Sequence, residues 1–200
     1  MSQYRVYVEK KESYATEAMS LAHELNENLH LALKNVRIVN VYDVFNINDQ
    51  QLEVTKQNVL SEKVTDVVSE TLDLENKVYF AVEFLPGQYD QRADSAMQCI
   101  QLLTGNDEVR VKSGKVILLD EDTSNEDLEK IKHYYINPIE MREKDMDSPL
   151  KLDESVEIED VQIHLGFIDY NDEQLDQFLH EHNMAMTLDD IKLIQAYFCR

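Results

Sequence analysis

The sequence VYFAVEFLPGQYDQRADSAMQCIQLLT, residues 78–104, predicts a strand, a turn and a helix in direct succession. Apolar side chains alternate through residues 78–84, which is the period of a half-buried strand. Pro86-Gly87 is a turn signal, and Asp90 is a suitable N-cap for a helix. After that cap, apolar residues recur at helical spacing at Ala93, Ala96, Met97, Ile100 and Leu103.

The sequence on either side of this unit alternates between the same two periods. Strand-like patterns occupy residues 4–8, 36–44, 64–69 and 109–119, and we expect a turn or bulge in the last of them at Ser113-Gly114. Helix-like patterns occupy residues 13–32 and two segments that begin at Asn48 or Asp49 and at Ser124. Strand-helix-strand-helix therefore occurs twice, which predicts an α+β fold.

The two occurrences also match in their letters. Residues 6–9, VYVE, match residues 80–83, FAVE, at an offset of 74, and residues 48–53 match residues 124–129 at an offset of 76. We interpret this as an internal duplication with repeats at about 1–73 and 74–145, packed as the two subunits of a dimer would be. A two-layer, ferredoxin-like sandwich is expected. Chance similarity within an α/β chain is the alternative.

Residues 146–200 differ in pattern from the rest of the chain. The polar stretch Met141–Pro149 predicts a linker, and residues 156–168 predict one or two short strands. Two short amphipathic helices follow, capped by Asn171 or Asp172 and by Thr187. Because the apolar face of the second is still running at Arg200, we expect 146–200 to be a linker and the start of a helical domain in a longer chain.

The charge of the chain is strongly negative and uneven. The net charge is −21 over 200 residues, with 24 acidic and 14 basic side chains in residues 1–138 and 16 and 5 in residues 139–200. This balance argues against nucleic-acid and membrane partners, both of which need a positive surface. Two cysteines, Cys99 and Cys199, and no secretory signal favour a reduced, cytoplasmic protein.

The loop between the strand and the helix of residues 78–104 is the best candidate for a binding site. Arg92 would lie in the first turn of the helix, where a cation is electrostatically disfavoured. An anionic ligand would explain its position, because the helix N-terminus and Arg92 together favour negative charge. Gln88, Gln91 and Ser95 would add directed hydrogen bonds. The alternative is a surface arginine that pairs with Asp90 or Asp94.

No catalytic motif is found in the sequence. It contains no P-loop, dinucleotide-binding glycine set, nucleophile elbow or HExxH, and no cysteine or histidine spacing typical of a metal site. His180 and His182 are two residues apart and would face different sides of a helix, so we interpret them as surface residues. The residues alone predict no catalytic and no metal-binding residues.

Residues 80–100, FAVEFLPGQYDQRADSAMQCI, resemble the N-terminal region of the long single-chain form of phosphoribosylformylglycinamidine synthase. Further similar segments are residues 7–11, 36–43, 135–143, 185–190 and 195–198. The resemblance implies an N-terminal domain similar to a dimer of the small subunit of the multi-subunit enzyme, followed by the start of a linker domain. This agrees with the duplication inferred from the repeats.

The resemblance also implies a function. That enzyme, a ligase of purine biosynthesis with a glutamine amidotransferase activity, makes formylglycinamidine ribonucleotide from formylglycinamide ribonucleotide, ATP and glutamine. Its ATP and Mg²⁺ site and its glutaminase nucleophile lie in other domains, which would be the partners of this chain. Residues 1–200 alone are then expected to be inactive, with formylglycinamide ribonucleotide near residues 85–95 and possible self-association through an exposed domain interface. A stand-alone metabolite-sensing or protein-interaction module is the alternative.

Overall fold

The computed structural model describes residues 2–152, 163–182 and 184–198 of the chain. These residues divide into two compact units, Met1–Val156 and Glu157–Arg200. Most of the segment 156–168, for which one or two short strands are predicted, lies outside the described residues, as does Cys199. In the described part, residues 167–169 form a 3-10 turn. No helix in the described ranges is long and apolar enough to cross a membrane.

The first unit is an α+β structure, as the two alternating periods predicted. Its described residues form six strands: β1 (Gln3–Lys10), β2 (Arg37–Phe45), β3 (Asp66–Ser69), β4 (Tyr79–Phe84), β5 (Arg110–Leu118) and β6 (Met141–Glu143). Its helices are α1 (Thr16–Leu29), α2 (Asp49–Asn58), α3 (Gln91–Thr104) and α4 (Asn125–Tyr135). The strands make one antiparallel sheet in the order β3-β1-β2-β5-β4-β6.

The helices begin at the caps that the sequence indicates. Asn48 caps α2 in a capping box with Gln51, Asp90 caps α3, and Ser124 caps α4. Each cap side chain accepts a hydrogen bond from a backbone N–H of the first turn, which has no partner within the helix. The turn before α3 closes through a hydrogen bond from the Gln88 N–H to the Leu85 carbonyl. Gly87, with φ of 90°, takes the turn position that suits glycine.

The helices α1–α4 all pack on one face of the sheet, here called the helical face. One cluster joins α2 and α3 to β1 and β2, and a second joins α1 and α4 to β4 and β5. Hydrophobic contacts from segments 70–78 and 144–152 cover the other face, here called the outer face, over a cluster of Val39, Val41, Ala81, Val116 and Leu118. The middle strands β2 and β5 are therefore covered on both faces.

Two expectations for this unit are corrected by the structure. The strand containing Ser113-Gly114 has no bulge, because β5 pairs with β2 in unbroken register from Arg110 to Leu118. The polar stretch Met141–Pro149 is more than a linker, since Met141–Glu143 pair with β4 as the edge strand β6. A strand of three residues is too short to show an alternating hydrophobic pattern, so the sequence alone did not predict β6.

The second unit contains the two helices predicted from caps and amphipathic spacing, α5 (Asp172–Glu181) and α6 (Leu188–Phe198). Asn171 caps α5 in a capping box with Gln174, and the Thr187 hydroxyl accepts a hydrogen bond from the Asp190 N–H. The helices enclose a small core of Leu175, Phe178, Leu179 and Ile191. On α6, Leu193, Tyr197 and Phe198 remain 64–74% exposed.

Candidate functional site

A pocket of about 700 Å³ lies in the first unit on the helical face of the sheet. Its lining includes Tyr42 of β2 and Ser113 and Lys115 of β5. Residues of α3 form one side, and Tyr135, at the end of α4, also lines it. The pocket is thus lined by elements of both predicted repeats, which divide at about residue 74.

Three of the four predicted site residues line this pocket. They are Gln91, Arg92 and Ser95, all in the first two turns of α3. Gln88 lies elsewhere: its side-chain amide donates to the Ile139 carbonyl at 3.1 Å, and it borders a neighbouring cavity of about 390 Å³. Pro86, Gly87 and Gln88 all border this neighbouring cavity, which spacing along the chain does not reveal.

Arg92 is exposed, but its side-chain partner is a neutral hydroxyl and not the Asp90 or Asp94 carboxylate of the surface-arginine alternative. Its Nη1 donates to the Tyr42 hydroxyl at 3.2 Å, and in the described part of the chain no ion pair joins it to Asp90 or Asp94. Burial opposes protonation, but the hydrogen bond to Tyr42 and the charges of Glu17 and Asp90 outweigh it and raise the pKa of Arg92 above its ordinary value. The guanidinium is therefore fully charged, with further N–H donors beside the pocket.

Asp90 and Asp94 are engaged by other groups. The Asp90 carboxylate accepts from the Ala93 N–H at 2.9 Å and from both the backbone N–H and the hydroxyl of Ser113. This fixes the N-terminus of α3 to the middle of β5. The Asp94 carboxylate accepts from the Tyr89 hydroxyl at 2.9 Å and from the Gln98 amide at 2.8 Å.

Lys115, the other cation at the pocket, is already neutralised. Its Nζ forms an ion pair with Glu17 in the first turn of α1. The first turns of α1 and α3 thus bring one anion and one cation to the middle of the sheet. Among the described residues that line the pocket, this leaves Arg92 as the cation available to a ligand.

Tyr135 gives the pocket a neutral hydroxyl. Its ring packs edge-on against Phe80, with ring centroids 5.6 Å apart. Burial, and then the charge of Glu17, raise the pKa of Tyr135 to about 12. Below pH 10 this hydroxyl therefore keeps its proton and is able to donate as well as accept a hydrogen bond.

Sequence reasoning missed Tyr42, Ser113 and Tyr135 as pocket residues. They are 22 to 93 positions apart and meet only through the pairing of β2 with β5 and the packing of α4. In the C-terminal unit, His180 and His182 are both exposed, and the imidazole of His182 packs against His164 with centroids 4.7 Å apart. Within the described residues, no group of three or more metal-ligating side chains is placed to hold a metal ion.

The pocket combines one available cation, several hydroxyl groups and aromatic rings. Arg92 suits a phosphate or carboxylate, since charge-assisted hydrogen bonds to such anions are the strong ones. Ser95 and Tyr135 suit hydroxyl or amide groups of a ligand. No protein-family model matches this chain, and no curated protein matches it. The family resemblance of residues 80–100 therefore stays a prediction.

Proposed function

We propose that this chain is the N-terminal, substrate-site-forming part of a long-form phosphoribosylformylglycinamidine synthase, acting in the cytoplasm. The enzyme would convert formylglycinamide ribonucleotide, ATP and glutamine to formylglycinamidine ribonucleotide. One observation carries the proposal: Arg92, in the segment that resembles this family, lies beside a pocket of about 700 Å³ with no carboxylate partner among the described residues. Formylglycinamide ribonucleotide offers a phosphate, ribose hydroxyls and an amide, which match the charge and hydroxyl groups of the pocket.

We also propose that residues 1–145 are two repeats packed as a pseudo-dimer, resembling a dimer of the small subunit of the multi-subunit enzyme. The strand register supports this. In the first half, Tyr7 of β1 lies between Val41 and Ser69, which are 28 positions apart. In the second half, Val82 of β4 lies between Lys115 and Glu143, again 28 positions apart. The two neighbours of β1 and the two neighbours of β4 are thus separated by the same number of residues, as a duplication would leave them.

In this proposal the chain supplies no catalytic residue, no ATP or Mg²⁺ ligand and no glutaminase nucleophile. Those groups belong to the synthetase and glutaminase domains, with which this chain would pack. The exposed side chains Leu193, Tyr197 and Phe198 on α6 are suited to such packing or to self-association, because exposed apolar side chains gain free energy when they are covered. Gln91, Arg92 and Ser95 would face the substrate, and Gln88 would support the loop.

Reconstitution tests this proposal directly. A long-form phosphoribosylformylglycinamidine synthase that lacks the region equivalent to residues 1–200 would be mixed with this chain. We expect glutamine- and ATP-dependent formation of the amidine only when both parts are present. The chain alone should give no turnover. A folded chain that fails to restore the truncated enzyme, or a chain that turns over alone, would contradict the proposal.

A second candidate is a stand-alone metabolite sensor. One observation favours it: all residues that line the pocket belong to the first compact unit, so a ligand would not need a second domain. Calorimetric titration with formylglycinamide ribonucleotide separates the two functions when combined with reconstitution. Tight binding to the isolated chain without restored synthase activity would favour the sensor.

A further inference from the structure

Arg92 and Tyr42 come from opposite halves of the first unit. Arg92 is on α3, and Tyr42 is on β2, 50 positions earlier. Tyr42 is 6% exposed, and its ring packs in the core with Val6, Ala96 and Ile100. Because that ring is held by its neighbours, its hydroxyl is a fixed acceptor at the lining of the pocket.

The hydrogen bond to Tyr42 restrains a side chain that would otherwise be mobile. A free arginine loses up to about 2 kcal/mol of rotamer entropy when it is ordered. The Tyr42 hydroxyl occupies one N–H of Nη1 at 3.2 Å, and a guanidinium has five N–H groups, so donors remain for an anion. A side chain that is ordered before binding costs less to engage.

The elements beneath Arg92 are fixed as well. Ser113 lies directly opposite Tyr42 in the β2–β5 register, and its hydroxyl and N–H both donate to the Asp90 carboxylate. Asp90 in turn caps α3. The first turn of α3 is thus tied to β5 through Asp90 and to β2 through Arg92.

We propose that Tyr42 is a positioning residue that holds the Arg92 guanidinium in place for the phosphate of a bound ligand. The anion site is therefore completed across both halves, so that neither half carries it alone. This inference rests on the proposed function, since it assigns Arg92 to the anionic group of the substrate. It would hold equally for another phosphate monoester in the same pocket.

The test uses the 200-residue chain with inorganic phosphate as the probe. Nitrogen-15 NMR follows the Arg92 Nε–H signal during a phosphate titration of the wild type and of Tyr42→Phe. We expect the Arg92 signal to shift and saturate in the wild type. In Tyr42→Phe, the signal should broaden and the dissociation constant should rise about two- to tenfold, the usual value of one hydrogen bond.

The matched control is Tyr134→Phe, because the Tyr134 hydroxyl bonds Glu24 and Asn28 and does not contact Arg92. It should leave the Arg92 signal and the phosphate affinity unchanged. Arg92→Ala has no Arg92 signal, so its phosphate affinity is measured by calorimetric titration; we expect weaker binding, and Tyr42→Phe in that background should cause no further loss of affinity. This non-additivity separates positioning from a general loss of stability, which thermal melts of each variant monitor.

Two outcomes would overturn the inference: a wild-type chain whose Arg92 signal does not respond to phosphate, or a Tyr42→Phe chain with unchanged Arg92 signal and affinity. Failure of the proposed function has a different signature. The phosphate response and its dependence on Tyr42 would persist, but the chain would not restore the truncated synthase.

Discussion

The two faces of the same sheet hold their cations in opposite ways: Lys144 is buried on the outer face, and Arg92 is exposed on the helical face. On the outer face, Lys144 lies between two carboxylates, 3.0 Å from Asp43 and 2.7 Å from Glu83. On the helical face, Arg92 has a neutral hydroxyl as its partner and faces a pocket. A cation enclosed by carboxylates contributes to the fold, whereas one held by a hydroxyl retains a charge that we propose serves a ligand.

The outer-face network continues beyond Lys144. Arg5 pairs with Asp43 at 2.6 Å and donates to the Met146 carbonyl, and Arg142 pairs with Glu83 at 2.7 Å. The network joins β1, β2, β4 and β6 with segment 144–152. It explains how a polar segment packs against the sheet, because its Lys144 shares the buried carboxylates of Asp43 and Glu83 with Arg5 and Arg142.

Removing the charge of Lys144 should have the largest effect on stability. Lys144→Met keeps most of the side-chain volume but leaves Asp43 and Glu83 short of positive charge, and we expect a loss of about 3 kcal/mol. Urea unfolding measures it. Lys130→Met is the control, because Lys130 forms only exposed pairs within α4, and it should cost less than about 0.5 kcal/mol. A Lys144→Met chain as stable as the control would contradict the structural role of the network.

A second, smaller loss is expected from Gly114→Ala on the same face. A Cβ at Gly114 would lie 2.7 Å from the Val82 carbonyl oxygen and 3.2 Å from Lys144 Cδ. We expect a loss of about 2–3 kcal/mol from this overpacking. Gly105→Ala, with φ of 66° and no atom within 4 Å, should cost about 1 kcal/mol from backbone strain alone. If Gly105→Ala lost more unfolding free energy than Gly114→Ala, the close packing of Val82 and Lys144 on Gly114 would not matter for stability.

On the helical face, alkaline pH should weaken the fold through Tyr135. Its folded-state pKa of about 12 exceeds the unfolded value near 10, so the folded state retains a proton that the unfolded chain releases. Stability is fully present below pH 10 and falls as pH rises toward 12. The loss attributable to this group should be about 1–2 kcal/mol, reduced from the full shift because the ring is partly exposed.

The measurement is urea unfolding at pH 9 and pH 11 for the wild type and Tyr135→Phe. The variant should lose less stability between the two values than the wild type does. An equal decline in both proteins would mean that the Tyr135 hydroxyl is more exposed to water than its packing against Phe80 indicates.

The smallest stability change is expected for Arg92→Ala, which should lower the unfolding free energy by about 0.5–1 kcal/mol, since it loses one hydrogen bond to Tyr42 and no ion pair among the described residues. Thermal melting checks this value. A loss comparable to that of Lys144→Met would show that Arg92 is structural and that the two faces do not differ.

The sequence predicted the elements whose signals are local. Asn48, Asp90, Ser124 and Asn171 carry the chemistry of a helix cap within three residues, and each begins a helix in the structure. Alternating β-branched residues likewise predicted β2 and β5. The turn or bulge expected at Ser113-Gly114 was wrong, because a glycine within a strand also occurs where another part of the chain approaches closely, as the Val82 carbonyl does here.

Contacts between residues on different strands could not be predicted from the sequence. Lysine is usually exposed, so nothing marked Lys144 as a buried counter-ion of two residues that are 61 and 101 positions earlier. The pairing of Arg92 with Tyr42 depends in the same way on strand order and register. The prediction of a site at Arg92 came from a local signal, since a cation in the first turn of a helix needs a separate explanation.

The reconstituted synthase gives the most direct test of the central claim, that Arg92 serves a substrate where Lys144 serves the fold. The KM for formylglycinamide ribonucleotide would be measured with the wild-type chain, Arg92→Ala, and Arg110→Ala as a control arginine that bonds only backbone carbonyls. We predict a KM about 10- to 100-fold higher for Arg92→Ala, the usual value of a charged hydrogen bond, and an unchanged KM for Arg110→Ala. A KM for Arg92→Ala equal to that of the wild type would contradict the claim.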